Sequence, residues 1–296
     1  MPPIADAAVT RRNRLLKSRF SHVLYQKAVL SALLALIFLA FFGTLVLSAR
    51  MFPQNYDWRY RVISNLLSPR DNPEHFWLPA CGIIVAAGLM LPFAGYLRRN
   101  LEIASPRAAR VSAGAFIAGI VALICACLVV PQHVHDVFGI RRLHEFIARS
   151  AAGFIAIGML SACWCAWKGF RKDLLQARLF WTWSLLTLLP LAGIFLSECL
   201  LVLARLNPAW AMPIRSVLRN SVFWHLGFWE WSGSAAIFIF LCAAVFLIPA
   251  ANGLWRSTSC DSRDFLVMGN PFETYNDELD RFLSKPCAIT ATDQGA

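Results

Sequence analysis

Six apolar runs, each about 20 residues long and so able to cross a bilayer as a helix, dominate this 296-residue chain. They extend approximately from Ala28 to Ser48, Phe76 to Leu97, Val111 to Val130, Phe146 to Trp167, Leu179 to Leu203 and Val222 to Ala250. None contains a run of charge, and hydrophobicity all round a helix predicts a lipid-facing span rather than an amphipathic surface helix. Composition agrees: 58% of the residues are hydrophobic and 15% are charged, against about 25% charged in a soluble domain. The expected fold class is all-α, a six-transmembrane helical bundle over residues 28–250. A basic segment, 1–27, precedes it and a polar tail, 251–296, expected to be weakly ordered, follows. The first run lies behind a 27-residue polar segment and fits a retained span better than a cleaved signal. No large soluble catalytic domain fits in what remains.

The formal charge of +11 has two readings, nucleic acid or membrane topology. With the N-terminus cytoplasmic, 18 of the 28 Lys and Arg residues fall in cytoplasmic segments, beginning with Arg11, Arg12, Arg14, Lys17, Arg19 and Lys27. That bias predicts the cell inner membrane with both termini cytoplasmic. Basic residues spread over alternate loops serve topology rather than nucleic-acid binding, so the expected partners are membrane lipids and not nucleic acid. In this orientation Trp58, Trp77, Trp210 and Trp224 fall at the outer boundary. Trp164, Trp167, Trp181, Trp183 and Trp255 fall at the inner one, giving two aromatic belts. The nine cysteines avoid the predicted outer loops, which argues against a disulfide framework. Cys125/Cys127 and Cys163/Cys165 project about 200° apart on a helix and make poor shared metal ligands.

Sorting the titratable residues by side locates the unusual chemistry. His75, His133, His135, His144 and His225 fall on the outer side, with Asp57, Asp71, Glu74, Asp136, Glu145, Glu198 and Glu230, leaving His22 on the other. Four clusters make up this face: the first loop from Tyr56 to Pro73, the segment from Gln132 through His144-Glu145, Ser197-Glu198, and Trp224 through Trp231. Ile63, Leu66 and Leu67 predict a short amphipathic segment against the outer surface. Glu230 is expected about 12 Å into its helix at the helical rise, and Glu198 about five residues from the end of its own. A carboxylate at such depth is costly unless paired, protonated or facing a wet cavity, which makes these two the best markers of an internal site.

Two chemistries compete for this face. In the first, a polar pocket binds a lipid or other amphiphile, lined by Asn65, His135, His144, Glu198, His225 and Glu230, with Arg70 and Arg141 for an anionic headgroup. In the second, zinc held by His133, His135, His144 and His225 activates water for lipid hydrolysis, with Glu198 or Glu230 as general base. The spacing of these histidines matches no diagnostic ligand motif, and a structural role, with histidines hydrogen-bonding loop backbone, accounts for them better. Arg141, Glu145 and Arg149, at i, i+4 and i+8, read as a helix-end ion-pair ladder. Ser64 and Ser197 are candidate hydroxyls, but neither lies in a Gly-x-Ser-x-Gly elbow. Haem would need histidines on facing helices inside the bilayer. The apolar inner halves of the spans disfavour a transport pathway, and a non-catalytic assembly subunit is a further alternative.

The segment Asp57-Trp-Arg-Tyr-Arg-Val-Ile-Ser64-Asn65-Leu-Leu-Ser-Pro, with Phe76-Trp-Leu-Pro-Ala-Cys-Gly opening the second span and His144-Glu145-Phe-Ile-Ala a later one, resembles bacterial and archaeal membrane proteins of the domain-of-unknown-function 998 group. That resemblance, covering Lys27 to about Ala250, implies about six spans and no established reaction. A more distant similarity is to the membrane hydrolases of the alkaline ceramidase and adiponectin-receptor type, which set a serine, an aspartate and three histidines around zinc. Ser64, Asp136, His133, His135, His144 and His225 supply those residue types, whereas the seventh span and a His-x-x-x-His pair are lacking.

Overall fold

The computed structural model describes residues 25–129, 143–206, 216 and 221–248. Six helices there are long and apolar enough to cross a membrane: α1 (Lys27–Arg50), α3 (Trp77–Leu101), α4 (Pro106–Leu128), α5 (Leu143–Phe170), α6 (Ala177–Leu206) and α7 (Leu226–Leu247). A short helix, α2 (Ile63–Leu67), lies between α1 and α3, and one 3-10 turn (Val222–Trp224) precedes α7. Among the described residues there is no strand. All six expected spans are present, and the chain has the make-up of a multi-pass membrane protein. Most boundaries moved by a few residues, the largest shift being the start of α4, at Pro106 rather than Val111. Helix α6 continues to Leu206 rather than Leu203, and α7 starts at Leu226 rather than Val222, because the 3-10 turn and an extended His225 break the backbone first. Tail residues 251–296 and the basic segment 1–24 lie outside the described residues.

Each spanning helix packs against the next in chain order, and α7 returns to α1, so the six close a ring. Lipid supplies no hydrophobic force between helices, so close approach at small residues and interhelical hydrogen bonds must hold the ring. The α4–α5 seam shows this most clearly. A methyl on Gly119 would lie 2.6 Å from Ile155, one on Gly158 would lie 2.7 Å from the Phe116 ring, and Ser112 Oγ donates to Gly158 O across 2.8 Å. Helix α1 meets α3 where Gly82 faces Thr44 and the Ala40 carbonyl. Here α1 widens into a π turn, Leu39–Gly43, and the Thr44 hydroxyl takes up Ala40 O at 2.6 Å. At the far end Lys27 Nζ donates to Ile248 O at 3.1 Å, tying the start of the first helix to the end of the last.

The centre of the ring is filled by aromatic rings. Trp183 stacks on Phe240 at 4.5 Å, Phe116 follows at 5.9 Å, and the Trp183 indole donates to Phe240 O at 3.1 Å. Trp183 is fully buried, so it is a core residue and not the interfacial belt residue expected from its position. In a helix apolar all round, sequence spacing does not reveal which face turns inward. Trp164 and Trp181 are exposed, as a belt requires.

The glycine seam makes a measurable demand. Gly158→Leu should lower thermal stability in detergent by the equivalent of about 1–3 kcal/mol of overpacking. Gly153→Leu, where an added Cβ meets nothing within 4 Å, should leave it unchanged. Equal effects of the two would contradict the packing described.

Candidate functional site

The end of the ring that carries the α1–α3 loop is organised by the start of α7. Gly227 lies against the loop backbone, where a methyl would sit 2.5 Å from Arg61 O, and the absent Cβ lets the loop descend onto the helix. Around this contact the loop residues Trp58 and Tyr60 meet Phe228 and His225, with ring centroids 6.3 and 4.6 Å apart. The Trp231 indole donates to Tyr56 Oη at 3.2 Å, and the phenol in turn faces Arg61 O and Val62 O, each at 3.0 Å. Burial, with the nearby Glu230 charge adding to it, pushes the Tyr56 phenol up to about 12, so it stays a donor to those carbonyls. Farther out, Asp57 accepts the Arg59 backbone N–H and guanidinium at 3.0 Å, a local turn that holds its carboxyl below the usual range.

These contacts seat α2. Its first amide, Ile63 N, donates to Glu230 Oε2 at 2.8 Å, so the carboxylate of the last span satisfies an orphan amide at the start of a five-residue helix. Ile63, Leu66 and Leu67 are buried with Leu45, Phe52, Ile83 and Cys127. The segment is therefore wedged among α1, α3, α4 and α7 rather than laid on the surface as expected. Asn72 closes the loop behind it, donating to Ser48 Oγ and Leu66 O at 3.0 Å.

The two deep carboxylates exchange ranks. Glu230 is four residues into α7, about 6 Å, while Glu198 is eight residues from the end of α6, about 12 Å. Between them comes a residue that the spacing argument had assigned elsewhere. Arg149, six residues into α5, sets Nη2 3.7 Å from Glu198 Oε1. The expected ladder with Glu145 gives way to a pairing between helices. One turn beyond Glu230, on the same face of α7, a Cβ on Gly233 would meet nothing within 4 Å.

The remaining candidates are dispersed. Asn65 Nδ2 reaches Asp71 Oδ2 at 3.4 Å, Ser64 is half-buried, and Arg70 is exposed. His225 packs edge-on against Tyr60. His144 is buried, with Nδ1 at 2.8 Å from Ala126 O and 3.1 Å from Val129 O. Carbonyls only accept, so Nδ1 carries the proton, closes the end of α4, and leaves Nε2 bare and, among the described residues, without a partner. Such a histidine suits a metal ion, yet among the described residues no three His, Cys, Asp or Glu groups come together as a metal site. His133, His135, Asp136 and Arg141 lie outside the described residues. Cys127, Cys163 and Cys165 are buried, whereas Cys81 and Cys125 are exposed. Sequence reasoning missed Arg149 as a site residue, although a guanidinium six residues inside a span was the available signal. For Tyr56 it had none.

No family model, curated protein or solved structure matches the chain. The site is therefore read from its own geometry.

Removing the Glu230 acceptor would leave the Ile63 amide without this partner, at a cost of about 1–3 kcal/mol. Glu230→Ala should raise amide deuterium exchange over residues 61–67 by about ten- to a hundredfold, and Glu230→Gln, which keeps an acceptor oxygen, should raise it far less. Unchanged exchange in the alanine variant would show that α2 is held by apolar packing alone.

Proposed function

We propose that this chain is an inner-membrane protein with both termini cytoplasmic, which binds a lipid or other amphiphile in the non-cytoplasmic half of its helical ring. The orientation is supported by the basic excess: Arg98, Arg99, Arg107 and Arg110 flank the α3–α4 turn, and Lys168, Arg171, Lys172 and Arg178 flank the α5–α6 turn, all at the end opposite α2. The observation that carries the reading is the Arg149–Glu198 pair, an ion pair between two spanning helices. Charge at that depth is costly and marks a functional site by default. Arg149 and Glu198 also keep substantial exposure, 68% and 41% of the side chain, so neither is spent as a purely internal brace.

Apolar surface for the rest of an amphiphile adjoins these charges. Phe146 on α5 and Phe195 on α6, each three residues before a member of the pair and so on its face of the helix, are exposed. The residues of the Ile-Ser-Asn-Leu element that carries the family resemblance form α2, which Glu230 secures.

Lipids retained through purification provide the test. Wild-type protein, Arg149→Leu and Glu198→Gln, each purified in mild detergent, are compared by mass spectrometry of the extracted lipid. The reading expects one enriched lipid class in the wild type, reduced about tenfold in both variants, the loss of roughly 1.4 kcal/mol of binding. Equal retention in all three would remove it.

A further inference from the structure

The end of the ring opposite α2 carries a surface of a different kind. The α5–α6 turn there is fixed from within: Gly169 O accepts from the amides of Lys172, Leu174 and Leu175 at 3.2, 2.9 and 3.3 Å, and the buried Leu175 packs where a methyl on Gly169 would meet it at 2.6 Å. This hairpin tip holds Lys168, Arg171, Lys172 and Arg178 against one acid, Asp173. Among the described residues none of these cations has a carboxylate partner. Two of them are laid on indoles instead. Lys168 Nζ lies 5.3 Å from the Trp164 ring centre and the Arg171 guanidinium 5.2 Å from that of Trp167, with the two indoles 4.8 Å apart. The stacking sets both cations at a defined height on α5 and leaves their N–H groups free for an anion.

The same faces continue into the bilayer as apolar surface. On α5, Arg171, Lys168, Trp164, Leu160 and Ile157 succeed one another at spacings of three or four, and Trp164, Leu160 and Ile157 are exposed. On α6, Arg178, Trp181, Leu185 and Leu188 repeat the pattern, also exposed. The two helices touch at Cys163 and Thr187, whose Sγ and Oγ1 are 3.5 Å apart. Trp164 follows Cys163 and Leu188 follows Thr187, so each lies about 100° round its helix from that contact. In an antiparallel pair, rotations of the same sense bring both stripes to the same side of the hairpin. Cations, indoles and aliphatic side chains thus stack in the order of a phospholipid's phosphate, ester region and acyl chains.

We propose that this lateral face of the α5–α6 hairpin is a binding site for an anionic phospholipid of the adjoining leaflet, its phosphate held by Lys168 and Arg171 and its acyl chains lying along Leu160 and Leu188. Charge complementarity selects the occupant, since a zwitterionic headgroup would bring its own cation among Lys168, Arg171 and Arg178. The α3–α4 turn lies at the same end, where Ser105 O accepts from Cys165 Sγ at 3.8 Å, and it is as basic, with Arg98, Arg99, Arg107 and Arg110. There, however, Arg98 is paired with Glu102 at 2.9 Å, and no tryptophan lies between Leu97 and Val111. That turn offers charge without a seat. The site stands at the other end of α5 from Arg149 and does not depend on the amphiphile-binding reading above.

Native mass spectrometry of the full chain released from nanodiscs of phosphatidylcholine doped with phosphatidylglycerol reads the lipid each protein retains. Wild type should hold phosphatidylglycerol at least about tenfold above its share of the disc. Lys168→Gln/Arg171→Gln should lose about tenfold of that enrichment. Trp164→Leu, which keeps both charges and removes the indole under Lys168, should lose about threefold. Arg99→Gln/Arg107→Gln removes the same charge at the same end of the ring and should leave the enrichment unchanged. Equal loss in the two double variants would overturn the proposal, because it would show attraction to the basic end as a whole and not a seat on α5 and α6. No enrichment in the wild type would overturn it too, as would displacement of the lipid by inorganic phosphate at equal concentration, which would show an anion site without an acyl track. These outcomes are read between variants of this end, apart from the Arg149→Leu and Glu198→Gln comparison.

Discussion

A bilayer offers no water to a polar group at depth, so every such group in this chain must find its partner inside the protein or bring one in. The ring of six helices can be understood as a set of answers to that requirement. Ser112 spends its hydroxyl on the Gly158 carbonyl, Thr44 on the carbonyls freed by the π turn, and the Trp183 indole on Phe240 O. Each also fastens two helices, or two turns of one, where lipid gives no reason for them to stay together. Glycines at the same seams let the backbones come close enough for these bonds to form.

The same requirement explains the end of the ring that carries α2. The α1–α3 loop cannot rest at the membrane boundary with bare amides and carbonyls. Tyr56 covers Arg61 O and Val62 O, Asn72 covers Leu66 O, and Glu230 covers Ile63 N. Among the described residues, Arg149 and Glu198 form a partly exposed pair at 3.7 Å within the spans, while two buried atoms, Asn72 Oδ1 and His144 Nε2, have no hydrogen-bond partner.

How much of this was legible in the sequence follows from what each signal measures. A run of about 20 apolar residues reports membrane crossing directly, so the six spans and the all-helical class were readable. It does not report facing: Trp183 read as a belt residue and is the centre of the core. It does not separate a 3-10 turn from a helix start, so α7 was begun at Val222 and Glu230 was placed too deep. Glu198 and Glu230 were identifiable because acids inside apolar runs stand out. Their partners were not, since local spacing ties Arg149 to Glu145, while Glu198 lies 49 positions away on another helix and the Ile63 amide lies 167 positions from Glu230. His144 was visible as a helix-end histidine, but its capping of α4 through Ala126 and Val129 needed the fold.

The account depends on the Arg149–Glu198 pair forming an occupied site rather than a solution to membrane depth alone. The most direct measurement is an experimental density map of the full chain in nanodiscs of native lipid extract, at a resolution that shows headgroups. The account predicts headgroup density within hydrogen-bonding distance of Arg149 and Glu198, with acyl chains running along Phe195. Arg149 turned away to the membrane boundary, with Glu198 bordered only by protein or acyl chain, would contradict it.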